Sequence, residues 1–209
     1  MKNATPHLLA WLYLLSVGAP ALAGSSTELT VSGLITPKAC TTTLSADGIV
    51  DHGRVPARSL NQYEFSKLPA QTLDLSVSCN DPVLFVLVGV DNRAESSLGP
   101  GFYYGLGTNA HVPTERLGTV SLAIRNAVGD GQPALVLASS NKGLTWFPES
   151  NAYPDNYMGF AQPGTLVPEP HRLVTATLHV NTSINAAAYL TLNQEVPLDG
   201  SIVLDLRYL

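Results

Sequence analysis

The carboxy-terminal stretch 201-SIVLDLRYL-209 decides how the rest of the chain is read. Ile202, Leu204, Leu206 and Tyr208 fall on one side of a two-residue period, and Val203, Asp205, Arg207 and Leu209 fall on the other. That alternation marks a half-buried β-strand with one apolar face. Complete sheets usually cover such an edge with a neighbour, and nothing follows here to cover it. The plainer alternative, that this strand pairs within the middle of a sheet, stays open.

The same period recurs upstream. Leu29, Val31, Gly33 and Ile35 alternate with Thr30, Ser32, Leu34 and Thr36 before Pro37 ends the run. Leu73, Leu75, Val77 and Cys79 alternate with Thr72, Asp74, Ser76 and Ser78, which predicts a second strand with Cys79 facing inward. Residues 82–91 form an apolar, β-branched run that predicts one buried central strand. Further strands are predicted at 119–126, 134–138, 173–180 and 189–192, with a short strand and a turn of helix between 49 and 61. No internal repeat, heptad or linker interrupts the pattern. A single all-β, immunoglobulin-like sandwich accounts for it most economically.

Composition agrees. Of 209 residues, 45% are hydrophobic and only 13% charged, against a usual charged fraction of about 25%. Disorder and coiled coil are excluded on that basis. The net charge is -5, and Lys and Arg form no cluster, which removes the footprint of nucleic-acid binding and of docking on acidic membranes.

The amino terminus reads as a secretory signal peptide, residues 1–23. A lone cation, Lys2, precedes an apolar run over residues 8–19, then Pro20 and the small-residue pattern Ala21, Leu22, Ala23. A membrane anchor is the competing reading, but the run is about 12 residues where roughly 20 are needed. Residues 24–209 then form the sandwich domain, with no further segment long enough to span. After export, Cys40 and Cys79 most simply form one disulfide. Closing a loop of about 40 residues stabilises by about 4 kcal/mol on the chain-entropy account. A redox or metal site is the alternative, but the pair has no CxxC spacing and no nearby His.

Two long excursions break the strand rhythm. Residues 92–117 include Phe102, Tyr103 and Tyr104, and residues 139–170 include Trp146, Tyr153 and Tyr157. These aromatics either pack beneath the loops or offer stacking faces to a host glycan or receptor. Catalytic signatures are missing: there is no GxSxG, Walker loop, HExxH or EF-hand pattern. His52, His111, His171 and His179 are scattered, and Asp91-Asn92 and Asp155-Asn156 read as turns sooner than as calcium ligands. No catalytic residue, metal or cofactor is expected. A secreted all-β hydrolase would need acids that only the fold could gather.

Four landmarks, in order, resemble the pilin-like subunits of the bacterial chaperone-usher pathway. Val31, Gly33, Ile35 and Cys40 match the spacing of their first strand. His52, Gly53, Arg54 and Val55, with Leu60 after them, resemble their short aromatic-Gly-x-Val stretch, with His in place of the usual apolar residue. Cys79 on an alternating strand and the terminal strand with penultimate Tyr208 complete the set. The wording around Thr36, Pro37 and Cys40, residues 51–61, and Asp91-Asn92-Arg93 also resembles a proteobacterial group of secreted, fimbrial-like proteins of unassigned function.

The resemblance implies an incomplete sandwich lacking its last strand. Its open groove would have Val31, Ile35, Ile202, Leu204, Leu206 and Tyr208 on the walls. The implied partners are a periplasmic pilus chaperone, an outer-membrane usher and a neighbouring subunit that donates a strand. The route is export through the periplasm to a fimbrium at the cell surface. Residues 24–28 are polar and, fully extended, reach about 17 Å, too little for a donor strand, which implies a tip-like subunit. The alternative is a stand-alone secreted or periplasmic binding module that does not polymerise.

Overall fold

The structure, a computed structural model, describes residues 30–32 and 39–209. The predicted signal peptide and most of the first predicted strand, Ile35 included, lie outside the described residues. Thr30, Ser32 and Val31 belong to no strand, and Val31 is exposed. The fold that follows is that of the unit Pro37–Leu209.

Fourteen strands are formed among the described residues: β1 (Cys40–Leu44), β2 (Ser66–Lys67), β3 (Gln71–Val83), β4 (Phe85–Asp91), β5 (Tyr104–Gly105), β6 (Thr108–Asn109), β7 (Val112–Arg116), β8 (Gly118–Gly129), β9 (Gln132–Pro133), β10 (Leu135–Ser139), β11 (Phe147–Pro148), β12 (Tyr157–Ala161), β13 (His171–Ile184) and β14 (Ile202–Tyr208). The first sheet has the order β1-β3-β13-β8-β5, with β2 joined to β13 and β9 to β8. The second has the order β11-β10-β12-β4-β14, and β6 and β7 form a separate hairpin. The two sheets face each other across one core. Leu75 and Val77 of β3, Ile124 of β8 and Leu178 of β13 meet Leu87 of β4 and Phe160 of β12 there.

The chain changes sheet at Leu84. Residues 82–91 are therefore two strands, not the single one predicted: Pro82 and Val83 close β3 and Phe85 opens β4. The apolar run is continuous because β4 is buried on both faces, with Phe85, Val86, Leu87 and Val88 all at 2% exposure or less. A turn gives β8 and β9 their hairpin: Gly129 pairs with Gln132, and Asp130 and Gly131 between them adopt φ of 49° and 82°. Two residues at positive φ match the strand twist, which is why Asp-Gly suits this place.

Two other expectations are corrected. Residues 189–192 form no strand; a 3-10 turn at Ala187–Tyr189 precedes an irregular segment. Residues 49–56 likewise form no strand, although the turn of helix appears at Ala57–Ser59. The excursion over residues 139–170 also conceals a core strand, β12.

Cys40 and Cys79 are bonded, with S–S 2.03 Å, and they sit opposite each other in the β1–β3 register. The bond ties β1, at the end of the first sheet, to its long neighbour β3. Replacing both cysteines by alanine is expected to lower unfolding free energy by about 4 kcal/mol in urea titrations, and a loss under about 1 kcal/mol would show that β1 is held by its ladder alone.

An apolar groove at the open edge as candidate functional site

Seven consecutive pairs, Ile202↔Asp91 to Tyr208↔Phe85, bind β14 to β4. On its other side β14 has no partner strand among the described residues, and β1 ends the facing sheet in the same way. At one end the two edge strands touch: the Cys40 backbone N–H donates to the Tyr208 hydroxyl at 3.0 Å. Away from that contact lies a groove of about 1160 Å³.

The floor is the inner face of the first sheet, with Leu73, Leu122, Leu178 and Val180. Ile202 and Leu204 form one wall, and Leu44, Val50 and Val55 form the other. These wall residues pack against the core yet remain partly exposed. Their apolar side chains are therefore only half removed from water. Residues 190–198 make a lip along the groove. His52 holds the opposite wall down through a 2.9 Å bond between its ring Nε2 and Thr182 Oγ1. Arg54 and Glu195 meet across the mouth at 3.5 Å, both almost fully exposed, so their attraction is small.

Of the six residues assigned to the groove, Ile202 and Leu204 line it. Leu206 packs on the core, Tyr208 is half exposed and caps the closed end, Val31 is exposed, and Ile35 lies outside the described residues. Val50, Val55, Leu190 and Val196 were not singled out as groove residues. They lie in segments that form no strand, so the strands expected at 189–192 and within 49–61 did not point to the groove, although Val55 belongs to the short motif at 52–55.

The aromatic residues divide among three settings. Tyr104 is fully buried and spans the core, donating its hydroxyl to the Ala152 carbonyl at 2.8 Å. Burial, with Asp91 and Asp155 adding to it, pushes its phenol well above the ordinary value. A Cβ at position 89 would run into that hydroxyl, so β4 carries glycine there. Phe102 and Tyr153 stack edge to face with centroids 5.9 Å apart, and Tyr103 lies over Gly99. Trp146 covers Gly159 on the outer face of the second sheet, and Arg207 sits 5.7 Å from the centroid of Tyr157.

Asp91 is committed to the backbone. Its two oxygens accept from Arg93 N–H at 2.8 Å and Gly105 N–H at 2.7 Å. The scattered-histidine reading needs one amendment: His171 is buried, with Nδ1 3.4 Å from Asp130 and Nε2 4.0 Å from Glu169. Burial opposes ionisation of Asp130, but amide bonds from Leu173 and Arg172, together with His171, outweigh it and hold that carboxyl below its usual range. Among the described residues no three His, Cys, Asp or Glu side chains are grouped to hold a metal, and no helix is long and apolar enough to cross a membrane.

Residues 29–112 match a family described as Protein of unknown function (DUF1120). Over its whole length the chain is also similar to Protein GltF of Escherichia coli (strain K12), at 24% identity over 253 aligned residues covering 100% of this chain and 98% of the relative. The matched family segment takes in β1, β3, β4 and the wall at Val50 and Val55. It stops before β8, β13 and β14, so most of the groove lining lies beyond it.

Glu115 anchors the lip. It accepts from the Thr191 N–H and hydroxyl at 2.7 Å each and from Asn109 Nδ2 at 2.8 Å. The Thr191 backbone bond, then its hydroxyl and Asn109, hold this carboxyl below the ordinary value of 4.5 against the opposing effect of burial. A depressed folded value means the stabilisation is complete above the unfolded value and is lost as pH falls through the folded one. The protection factor of the Thr191 amide, the intrinsic exchange rate over the observed one at each pH, should therefore fall as pH drops below the ordinary carboxylate range, and Glu115→Gln should show the lower protection already at neutral pH. Separately, Tyr104→Phe, which strands the Ala152 carbonyl, is expected to cost about 1 to 3 kcal/mol by thermal or urea unfolding.

Proposed function

We propose that this protein is a fimbrial, pilus-like subunit of the chaperone-usher type, which accepts a strand from another molecule into the groove beside β14. The observation that carries the reading is the conjunction of a β14 edge with no partner strand among the described residues and an apolar groove beside its Ile202 and Leu204. An added strand satisfies the free N–H and C=O groups of β14 and places alternate side chains over Leu73, Leu178 and Val180. Four such apolar side chains at roughly 1.5 to 3 kcal/mol each supply about 6 to 12 kcal/mol gross, comparable to the whole stability of a domain. A periplasmic chaperone supplies that strand first in this scheme, and a neighbouring subunit replaces it during assembly at an outer-membrane usher. The disulfide fits an oxidising, exported compartment, and the destination of this scheme is a fimbrium at the cell surface.

A second reading, recognition of a glycan or receptor, draws on Phe102, which is 65% exposed and braced edge to face by Tyr153. The two readings are compatible in an adhesive subunit.

Co-expression with a periplasmic pilus chaperone, followed by pull-down, tests the first reading. A stoichiometric complex is expected for the wild type and for Val203→Asp, whose side chain faces outward. It should be lost in the Ile202→Asp/Leu204→Asp pair. No complex with the wild type, or equal recovery of both variants, overturns the reading.

A further inference from the structure

The lip of the groove shows a pattern that its conformation does not use. Leu190, Leu192 and Val196 are half-buried, whereas Thr191, Asn193 and Glu195 are exposed. These positions keep the two-residue phase of a strand, broken at the exposed Gln194 and Leu198, and residues 190–198 belong to no sheet. Among the described residues, no backbone-to-backbone hydrogen bond is made by any of residues 192–198.

Its two ends are held firmly. Thr191 is bound by Glu115, as described above. Asp199 donates its N–H to the Leu106 carbonyl at 3.2 Å and takes a two-pronged contact from Arg93 at 2.9 and 3.1 Å. Between these posts the polar contacts all converge on Glu195: the His111 ring at its carbonyl, 3.1 Å away, and the exposed Arg54 at its carboxylate. The segment between the posts is seven residues long, as is β14.

We propose that residues 190–198 are a built-in strap that shields the groove in the free chain, hinged at Thr191 and Asp199, and displaced when an incoming strand docks on β14. The proposal rests on the acceptor reading of the groove and adds its regulation. Leu192 and Val196 cover part of the apolar wall without forming a ladder. A strand that gains the ladder therefore out-competes the strap, while a loosely apolar molecule that gains none does not. The strap thus acts against indiscriminate pairing at an open edge, a recurrent need of exposed strands.

The test uses the full mature chain with its disulfide intact and three measurements: bis-ANS fluorescence, the association rate of a labelled octapeptide of alternating Val and Thr, and cleavage after Glu195 by a Glu-specific protease. Leu192→Ser/Val196→Ser should raise dye fluorescence at least threefold and speed peptide association about tenfold. Asn193→Ser, which changes an exposed polar side chain and removes no apolar cover, should do neither. In the wild type, bound peptide should accelerate cleavage after Glu195 several-fold, and this arm stands even where the double variant fails to fold. Unchanged dye binding and peptide rate in the folded double variant, or cleavage that bound peptide leaves unaltered or slows, overturns the strap. Increased dye binding with no peptide bound to either protein supports the strap and defeats the acceptor reading. Peptide bound equally fast to both, with dye unchanged, does the reverse.

Discussion

The ladder between β14 and β4 satisfies one edge of the last strand and commits it to the rim of the second sheet. Because β14 has no strand beyond it among the described residues, the second sheet stops short of covering the first. The inner face of β3, β8 and β13 then forms a floor whose side chains are anchored in the core but open to the groove. Ile202, Leu204, Val50 and Val55 are half-buried along that groove, and residues 190–198 form its lip. A sandwich normally removes such surface from water with a further strand, since apolar burial is the main term holding the fold together.

The second sheet is unusual in the opposite sense on its other face. Val86, Val88, Leu137 and Ala161 are each at 1% exposure or less, although their strand neighbours Phe85, Leu87, Val136 and Phe160 are the ones facing the main core. The register places Gly159 beside Leu137, and Pro168 and Trp146 lie over that glycine. The long excursion around β11 and β12 thus folds back as a cover. It buries a second, thinner apolar layer, and Trp146 and Tyr157 serve that layer.

Much of this was legible where structure is set locally. The alternation at Leu73, Leu75, Val77 and Cys79, and again at Ile202, Leu204 and Leu206, reads directly onto β3 and β14, because a two-residue period is a property of the strand itself. Three features were not legible. Residues 82–91 look like one strand because both sides of the Leu84 break are apolar, and only the change of sheet separates them. Strand β12 carries Gly159 where an apolar residue would have completed its outer face, so its five residues offered little pattern. The alternation over Leu190 and Leu192 suggested a strand, but Glu115, some 76 residues away in sequence, captures the Thr191 N–H that a ladder would have used. The groove inherits this division: its β14 wall was visible, while Val50, Val55 and Val196 reach it from segments whose course is fixed by tertiary contacts.

The bond between Cys40 and Cys79 also has a mechanical meaning. Cys40 is the first residue of β1, and Cys79 lies within the long β3. Tension applied through the chain preceding Cys40 passes across the sulfur bridge into β3, bypassing the hydrogen bonds of β1. The short edge strand is thereby spared from peeling, and the load reaches β13 through the longest ladder that β3 makes. Under oxidising conditions the sandwich resists traction as a block; reduction would expose β1 to being unzipped one residue at a time.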